Sequence, residues 1–320
     1  MTLAYVAVLF SVATMVARAV PLSNVIALVV AVGSPYVPLV ALSAVVMSVA
    51  CRRILLSIVA VAVLAVTVAV QVPWYCFGRP ADVGQHVDIR VLSSNLRKGR
   101  ADASSFVELA KADADVITVS ELTPEEVERF SQAGIAEAFP YSVLTPAADA
   151  GGIGLYSRFP VAMSPTASDR ATFAAARLRV PGVRFDPLVA SVHVISPVAS
   201  DADSFGSWRT GITATKTRLD GFAEAAGPAA VIVAGDFNST PDMRQFRDLL
   251  TNGYGDAVEQ TGAGFAPTFP SRTWHPPFIT IDHVLTRQAT ATAIRTVYVS
   301  GSDHRALLAT VAVPLDPTAS

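Results

Sequence analysis

Val231-Ile232-Val233-Ala234-Gly235-Asp236-Phe237-Asn238 decides how the rest of the chain is read. Its apolar run suits a buried strand, Gly235 permits close approach of another backbone, and Asp236 and Asn238, two apart, share one face of extended chain. A carboxylate and an amide aimed at one point suit a polar site at a strand end, although Asp and Asn also favour plain turns.

The same pattern, an apolar run that ends in polar groups, recurs along the chain. Val87–Ser93 runs on to Asn95, Val116–Ser120 meets Glu121, Leu188–Val194 contains His193, Ile281–Leu285 contains Asp282, and Gly301-Ser302-Asp303-His304 leads into Leu307–Val313. Ile153–Ser157 and Ala175–Val180 also read as strands, and the apolar part of the opening motif as Ala230–Ala234. Helical patterns fit Ala103–Ala112, Pro124–Gln132, Ser207–Ala226 and Pro241–Leu250. Short buried strands mixed with helices over residues 88–315 imply an α/β layered domain. A Glu directly after a buried strand is costly unless it meets something positive, which makes Glu121 a candidate metal ligand; the plainer reading is a first-turn Glu before the helix at Pro124. His193, taken singly, fits a hydrogen-bonded core histidine as well as a site residue.

Charge divides the chain into two parts. Residues 1–79 contain no Asp, Glu or Lys, and their only formal charges are Arg18, Arg52, Arg53 and Arg79, which leaves 20 basic against 26 acidic residues in the remainder, a net of −6. An apolar anchor over residues 1–76 is therefore joined, through a Gly/Pro/polar tether at 77–87, to an acidic domain at 88–315. The two cysteines, Cys51 and Cys76, flank an apolar run and make no disulfide framework. Leu55 to Val72 is long enough to cross a bilayer, Val25 to Ala50 is long enough despite Gly33, Ser34, Pro35 and Pro38, and Leu3 to Ala17 is short. This gives three transmembrane helices, or two if the first does not cross. Arg52-Arg53, between the second and third spans, places that turn in the cytoplasm and the acidic domain outside, with Trp74 and Tyr75 in the outer aromatic belt.

Taken in order, Asn95, Ser120-Glu121, Gly235-Asp236-Phe237-Asn238, Ile281-Asp282-His283 and Ser302-Asp303-His304 resemble the endonuclease/exonuclease/phosphatase superfamily, and Gly151 to Pro160 resembles its Gly…Ser-Arg-x-Pro strand. The resemblance implies a four-layer α/β sandwich, two packed mixed sheets flanked by helices, and a metal-dependent phosphoric ester hydrolase. It makes Glu121 the principal Mg2+ ligand, assisted by Asn95 and Asp303, with Mn2+ able to substitute. His304 becomes the general base or a phosphate contact held by Asp282, Asp236 orients or deprotonates the attacking water, Asn238 donates to a phosphoryl oxygen, and His193 steadies the phosphorane.

The apolar run, Arg52-Arg53, Ser34-Pro35-Tyr36 and the segment Gly262 to Pro270 also resemble a membrane-anchored bacterial branch with N-terminal spans, which implies a lipid-linked or cell-envelope phosphate as substrate. A nuclease comes second, because the domain is acidic and holds only three lysines, Lys98, Lys111 and Lys216. A non-catalytic membrane-bound binding module is the third reading. Arg97, Lys98 and Arg100 are either a basic lip toward phosphate or a solvated turn. Trp208, Trp274 and Phe278 either border the cleft near the membrane or pack in the core.

Overall fold

The computed structural model describes residues 1–78, 84–163, 173–199, 203–272 and 274–319; Arg79 and residues 80–83 of the expected tether lie outside them. Helices α1 (Thr2–Ala19), α2 (Val25–Val32), α3 (Val37–Ala50) and α4 (Ile54–Cys76) come first. Strand β1 (His86–Asn95), helix α5 (Ala103–Asp113), β2 (Val116–Ser120), α6 (Pro124–Gln132) and α7 (Ile135–Ala138) follow. Then come β3 (Tyr141–Thr145), β4 (Ile153–Ser157), β5 (Val161–Met163), β6 (Phe173–Leu178), β7 (Leu188–His193), α8 (Ser204–Ala226), β8 (Val231–Asp236) and α9 (Arg244–Arg247). The last elements are β9 (Gly255–Asp256), α10 (Ala257–Thr261), β10 (Asp282–Arg287), β11 (Thr290–Tyr298) and β12 (Arg305–Pro314).

The strands form two six-stranded mixed sheets, ordered β11-β12-β1-β2-β4-β3 and β5-β6-β7-β8-β10-β9. Each has one parallel pair at its centre, β1 with β2 and β7 with β8. Period-two alternation builds the layers: Ile89 and Val91 of β1 point between the sheets and meet Val189, Ile232 and Val284, while Leu92 points outward and joins Phe106 of α5 and Phe130 of α6. The outer face of the second sheet is covered by Trp208, Ile212, Leu219 and Phe222 of α8. This is the expected four-layer α/β sandwich.

Caps fix the helix starts as local chemistry requires. Asp102 accepts from Ser105 N, Thr123 from Glu126 N and Asp203 from Gly206 N. The segment Pro241 to Leu250 forms less helix than its pattern suggests, only Arg244–Arg247, because turns with Met243 N on Thr240 O and Leu250 N on Arg247 O flank it. Strand β1 starts one residue before the expected Val87, so that His86, read as tether, already pairs with Pro314.

Among the described residues two helices, Thr2–Ala19 and Ile54–Cys76, are long and apolar enough to cross a membrane. Val25–Val32 and Ser34–Ala50 pass only as a pair, bent by 43° at the Gly33-Ser34-Pro35 break. The short first stretch thus reaches spanning length as one helix, whereas the second is broken. Leu22, Leu28, Ala31, Trp74 and Tyr75 pack into the same core cluster as Trp208, Phe237 and Phe246, so the helical bundle sits directly against the sandwich. Polar contacts reinforce the seam: Arg18 Nε and Gln71 Nε2 both donate to Asp242 Oδ1 at 2.8 Å, and Gln245 bonds the backbone N and O of Leu22. At 1.5 Å rise per residue, α3 leads roughly 20 Å away from this seam and α4 returns to it, which leaves Arg52 and Arg53 at the far end of the bundle.

Candidate active site

Parallel pairing puts the C-terminal ends of β1, β2, β7 and β8 on one edge of the sandwich. Asn95 is the register partner of Ser120, just before Glu121, and His193 is the partner of Asp236. The antiparallel strand β10 starts at the same edge, with Asp282 directly opposite Asp236, and His304 immediately precedes β12. The approach of β8 to β7 depends on Gly235, where a Cβ would lie 2.0 Å from the Val192 carbonyl oxygen.

Asp236 is the hub. Its Oδ2 accepts from Asn95 Nδ2 at 3.0 Å and lies 3.9 Å from His193 Nε2 and 3.8 Å from His304 Nε2; its Oδ1 accepts from Asn238 N at 2.8 Å. Asn95 Nδ2 also donates to Glu121 Oε1 at 3.1 Å, and the same Glu121 oxygen is 3.9 Å from His193 Nε2. The amide orientation of Asn95 is set on its other side, where Arg97 N donates to Oδ1 at 2.8 Å. His193 is turned toward the carboxylates by its Nδ1, which faces Ala150 O at 3.1 Å. His304 Nδ1 meets Asp282 Oδ2 at 2.9 Å, which directs Nε2 toward Asp236. Phe269 covers the His304 ring with centroids 4.8 Å apart. Asn238 is anchored by Nδ2 donating to Val194 O. Asp303 joins at the rim, its Oδ2 being 3.7 Å from Arg97 Nε.

Glu121 is not the first-turn residue of α6, since Thr123 caps that helix. It stands instead in a left-handed conformation, φ 57°, that turns its carboxylate into the cluster. Two residues contribute in a way their side chains do not advertise. Arg97, Lys98 and Gly99 all take left-handed φ, and this loop points Lys98 N at Glu121 Oε2, 2.7 Å away. The Lys98 side chain reaches outward to Asp149. Backbone donors leave no trace in residue type, and Phe269 carried no polar signal. His283, next to Asp282, faces the other way: its nitrogens meet Asp256 Oδ2 and Ser239 O, both buried, so it belongs to the interior. Trp208 is core and donates to Ser239 Oγ, whereas Trp274 and Phe278 are exposed.

The electrostatics follow from crowding. Burial, and next the facing Asp282, raise Asp236 above the ordinary carboxylate range, and His304 and His193 only partly offset this. Burial alone would lower His304, but Asp282 and Asp236 outweigh it and hold the imidazole well above its ordinary value.

The donor set fits a hard divalent cation. Asp236, Asp282 and His304 offer ligand atoms within 4.8 Å of one another. His304 Nδ1 is already committed to Asp282, so a hydrogen bond accounts for part of that trio without an ion. Glu121 Oε1 and Asp236 Oδ2 instead face each other across a single amide N–H₂, a position a positive ion with oxygen ligands suits well.

The model of the Endonuclease/Exonuclease/phosphatase family matches residues 92–304, and the chain belongs to that family. The family's named activities all cleave phosphoester bonds, and the chain carries the acidic and imidazole groups such chemistry uses. No curated protein matches by sequence. An endonuclease/exonuclease/phosphatase from Bacteroides vulgatus superposes with TM-score 0.56 at 15% identity, covering 71% of this chain and 99% of that one. The 3′ phosphatase NExo from Neisseria, bound to product DNA hairpin, gives 0.53 at 17% identity, covering 69% and 98%. TDP2 from D. rerio, complexed with single strand DNA product, gives 0.54 at 17% identity, covering 70% and 98%.

Proposed function

We propose that the protein is a membrane-anchored, Mg2+-dependent phosphoester hydrolase acting on a lipid-linked or cell-envelope phosphate or pyrophosphate. The observation that carries the chemistry is the convergence on Asp236 of Glu121 through Asn95, of His193, and of the Asp282–His304 pair. Glu121 is the principal ligand of Mg2+, or of Mn2+ in its place, with Asn95 and Asp303 as further contributors. When bound, the cation neutralises charge that builds on phosphoryl and leaving oxygens. Asp236 orients the attacking water and accepts its proton. His304, held by Asp282, acts as base or phosphate contact, Asn238 offers its remaining amide hydrogen to a phosphoryl oxygen, and His193 donates to the developing phosphorane.

Four features support the substrate class and the placement. The helices over residues 1–76 form the membrane anchor of a catalytic domain at 88–315. The net charge of −6 over residues 80–320 suits a polyanionic nucleic acid poorly. Tethering to an apolar bundle raises the effective concentration of phosphates carried by the bilayer. With Arg52 and Arg53 retained in the cytoplasm, the chain is multi-pass and its catalytic domain faces outward.

The test is turnover by the full chain in proteoliposomes with Mg2+ or Mn2+, on a polyprenyl pyrophosphate, a phospholipid, a sphingomyelin-type diester and plasmid DNA. Release from a lipid substrate that EDTA abolishes and Asp236→Ala eliminates is the expected result. Degradation of DNA alone establishes a nuclease instead, and silence of the wild type on every substrate favours a binding module. Digestion of the domain by protease added to intact cells is expected; protection would reverse the orientation.

A further inference from the structure

We infer that residues 264–272 and 274–279 form a membrane-contacting surface, in which Trp274, Phe278 and Phe265 enter the headgroup region of the bilayer beside the anchor. The inference rests on the proposal that the N-terminal helices lie in a membrane, and it adds a second, non-spanning contact made by the catalytic domain itself.

Large aromatic side chains stand in the open here. Trp274 is 74% exposed, Phe278 47% and Phe265 40%. An apolar patch in water is unfavourable by about 25 cal/mol for each Å² of apolar surface left uncovered, so something covers it. Its position says what. Tyr36 Oη, at the start of the apolar stretch leading into α3, donates to Phe278 O at 2.7 Å. The Phe265 ring stands edge-on to both Tyr36, 5.9 Å away, and Tyr75 at the end of α4, 5.5 Å away. Gly264 N completes the seam by donating to Tyr75 O. Gly264, Phe265 and Phe278 are therefore held at the level where the helices leave the apolar layer, and the exposed rings continue the aromatic ends of the anchor sideways. Trp and Tyr favour that depth because their rings accept a boundary that is apolar on one side and wet on the other.

The chemistry of the patch suits phospholipid more closely than a bare apolar partner. The Arg272 guanidinium lies over the Trp274 ring, 5.9 Å from its centroid, and His275 packs against Trp274 and Phe278. A cation carried on an interfacial aromatic ring is placed to meet anionic headgroups while the ring meets acyl carbon.

The same segment reaches the catalytic groups. Phe269 covers His304, Ser271 N donates to Asp303 O, Arg305 N donates to Thr268 O, and Thr268 Oγ1 accepts from Asp282 N. These contacts tie Thr268, Phe269 and Ser271 of the same stretch to Asp282, Asp303 and His304. Seating the rings in the bilayer holds the mouth of the site against the headgroups, so that a lipid phosphate enters without leaving the membrane.

Depth measurement by spin labelling tests this without any turnover. In a Cys51→Ser, Cys76→Ser background of the full chain, Trp274→Cys and Phe278→Cys are labelled with nitroxide in phosphatidylcholine–phosphatidylglycerol proteoliposomes. Labels at Val66→Cys, on the exposed face of α4, and Glu108→Cys, on α5, mark lipid and water. The expected result is a shift from the nickel-chelate relaxation seen at 108 toward the oxygen relaxation seen at 66. Labels at 274 and 278 that match 108 while 66 reports lipid would overturn the inference and leave the anchor standing. Labels immobilised and shielded from both reagents would show a protein partner on the patch and overturn it equally. A label at 66 that reports water would remove the anchor and this inference together, whatever the enzyme does.

Discussion

Arg18, in the last turn of the first helix, donates from Nε to the buried Oδ1 of Asp242 at 2.8 Å, across 224 residues of sequence. The Asp242 side chain is 1% exposed and shares that oxygen with Gln71. Breaking a buried pair by removing one partner costs about 3–5 kcal/mol, because a charge is left without its counter-ion. Arg18→Met is therefore expected to lower the thermal unfolding midpoint of the detergent-solubilised chain. It should also reduce hydrolysis, since Asp242 lies four residues beyond Asn238. Arg18→Met combined with Asp242→Leu should recover most of the stability. Midpoints for the single variant equal to wild type would show that the Arg18–Asp242 pair adds nothing to the docking of the N-terminal helices.

The metal-free protein is expected to lose stability as pH rises from 5 to 8. Asp236 and His304 both have folded values above their ordinary ones of about 3.9 and 6.5, so the folded state binds protons more tightly than the unfolded chain. For each, the stabilisation is complete below the unfolded value and disappears as pH climbs through the raised folded value. Asp236 accounts for the acidic part of that window, and His304 for the part above about pH 6.5. Carboxylates held low, such as Asp115 beside Arg90, act in the opposite sense only at more acid pH. Thermal unfolding in EDTA, with Asp236→Asn as comparison, reads this out. Added Mg2+ should flatten the slope, and a slope unchanged by Asp236→Asn would count against this origin.

Much of the site was legible because its side chains are polar residues at the ends of apolar strands. Asn95, Glu121, His193, Asp236, Asp282 and His304 each break an apolar run, and the sheets bring these breaks to one edge. What the residues alone left open was direction: His193 and His283 sit in equally apolar strands, yet one faces the carboxylates and the other Asp256. Edge strands were harder to read than central ones. Thr290–Tyr298 alternates with small and polar residues and pairs on one side only, so it lacks the apolar run that marked β8. The seam between the N-terminal helices and the sandwich left no local signal either, because Arg18, Gln71 and Asp242 acquire their partners only through tertiary packing.

Gly235→Ala should be far more damaging than Gly264→Ala. At 235 the added methyl meets the Val192 carbonyl at 2.0 Å, within the β7–β8 pairing that sets His193 beside Asp236. At 264 φ is +90° but no atom lies within 4 Å, so only the local backbone penalty of about 1–2 kcal/mol applies. Circular dichroism melts of both variants separate the two mechanisms. Gly264→Ala should remain folded and active, and Gly235→Ala should lose either its fold or its activity. Wild-type behaviour from Gly235→Ala would mean that β7 and β8 can separate without cost to the site.

The adjacent residues Asp282 and His283 provide the sharpest division between chemistry and stability. The Asp282 carboxylate meets His304 Nδ1, so Asp282→Asn preserves shape while removing the charge that keeps the imidazole basic. Turnover should fall by roughly 10²–10⁴-fold, the usual worth of general acid–base catalysis. The limb of the pH–rate profile set by His304 should move downward, because the loss of Asp282 lowers His304. His283→Leu removes a ring whose two nitrogens serve Asp256 and Ser239 O inside the core. It leaves those buried acceptors unpaired at about 1–3 kcal/mol each, and should depress the melting midpoint while the folded fraction keeps its pH–rate profile. If His283→Leu moved that profile and Asp282→Asn did not, the acid–base pair would have to be reassigned to the neighbouring residue.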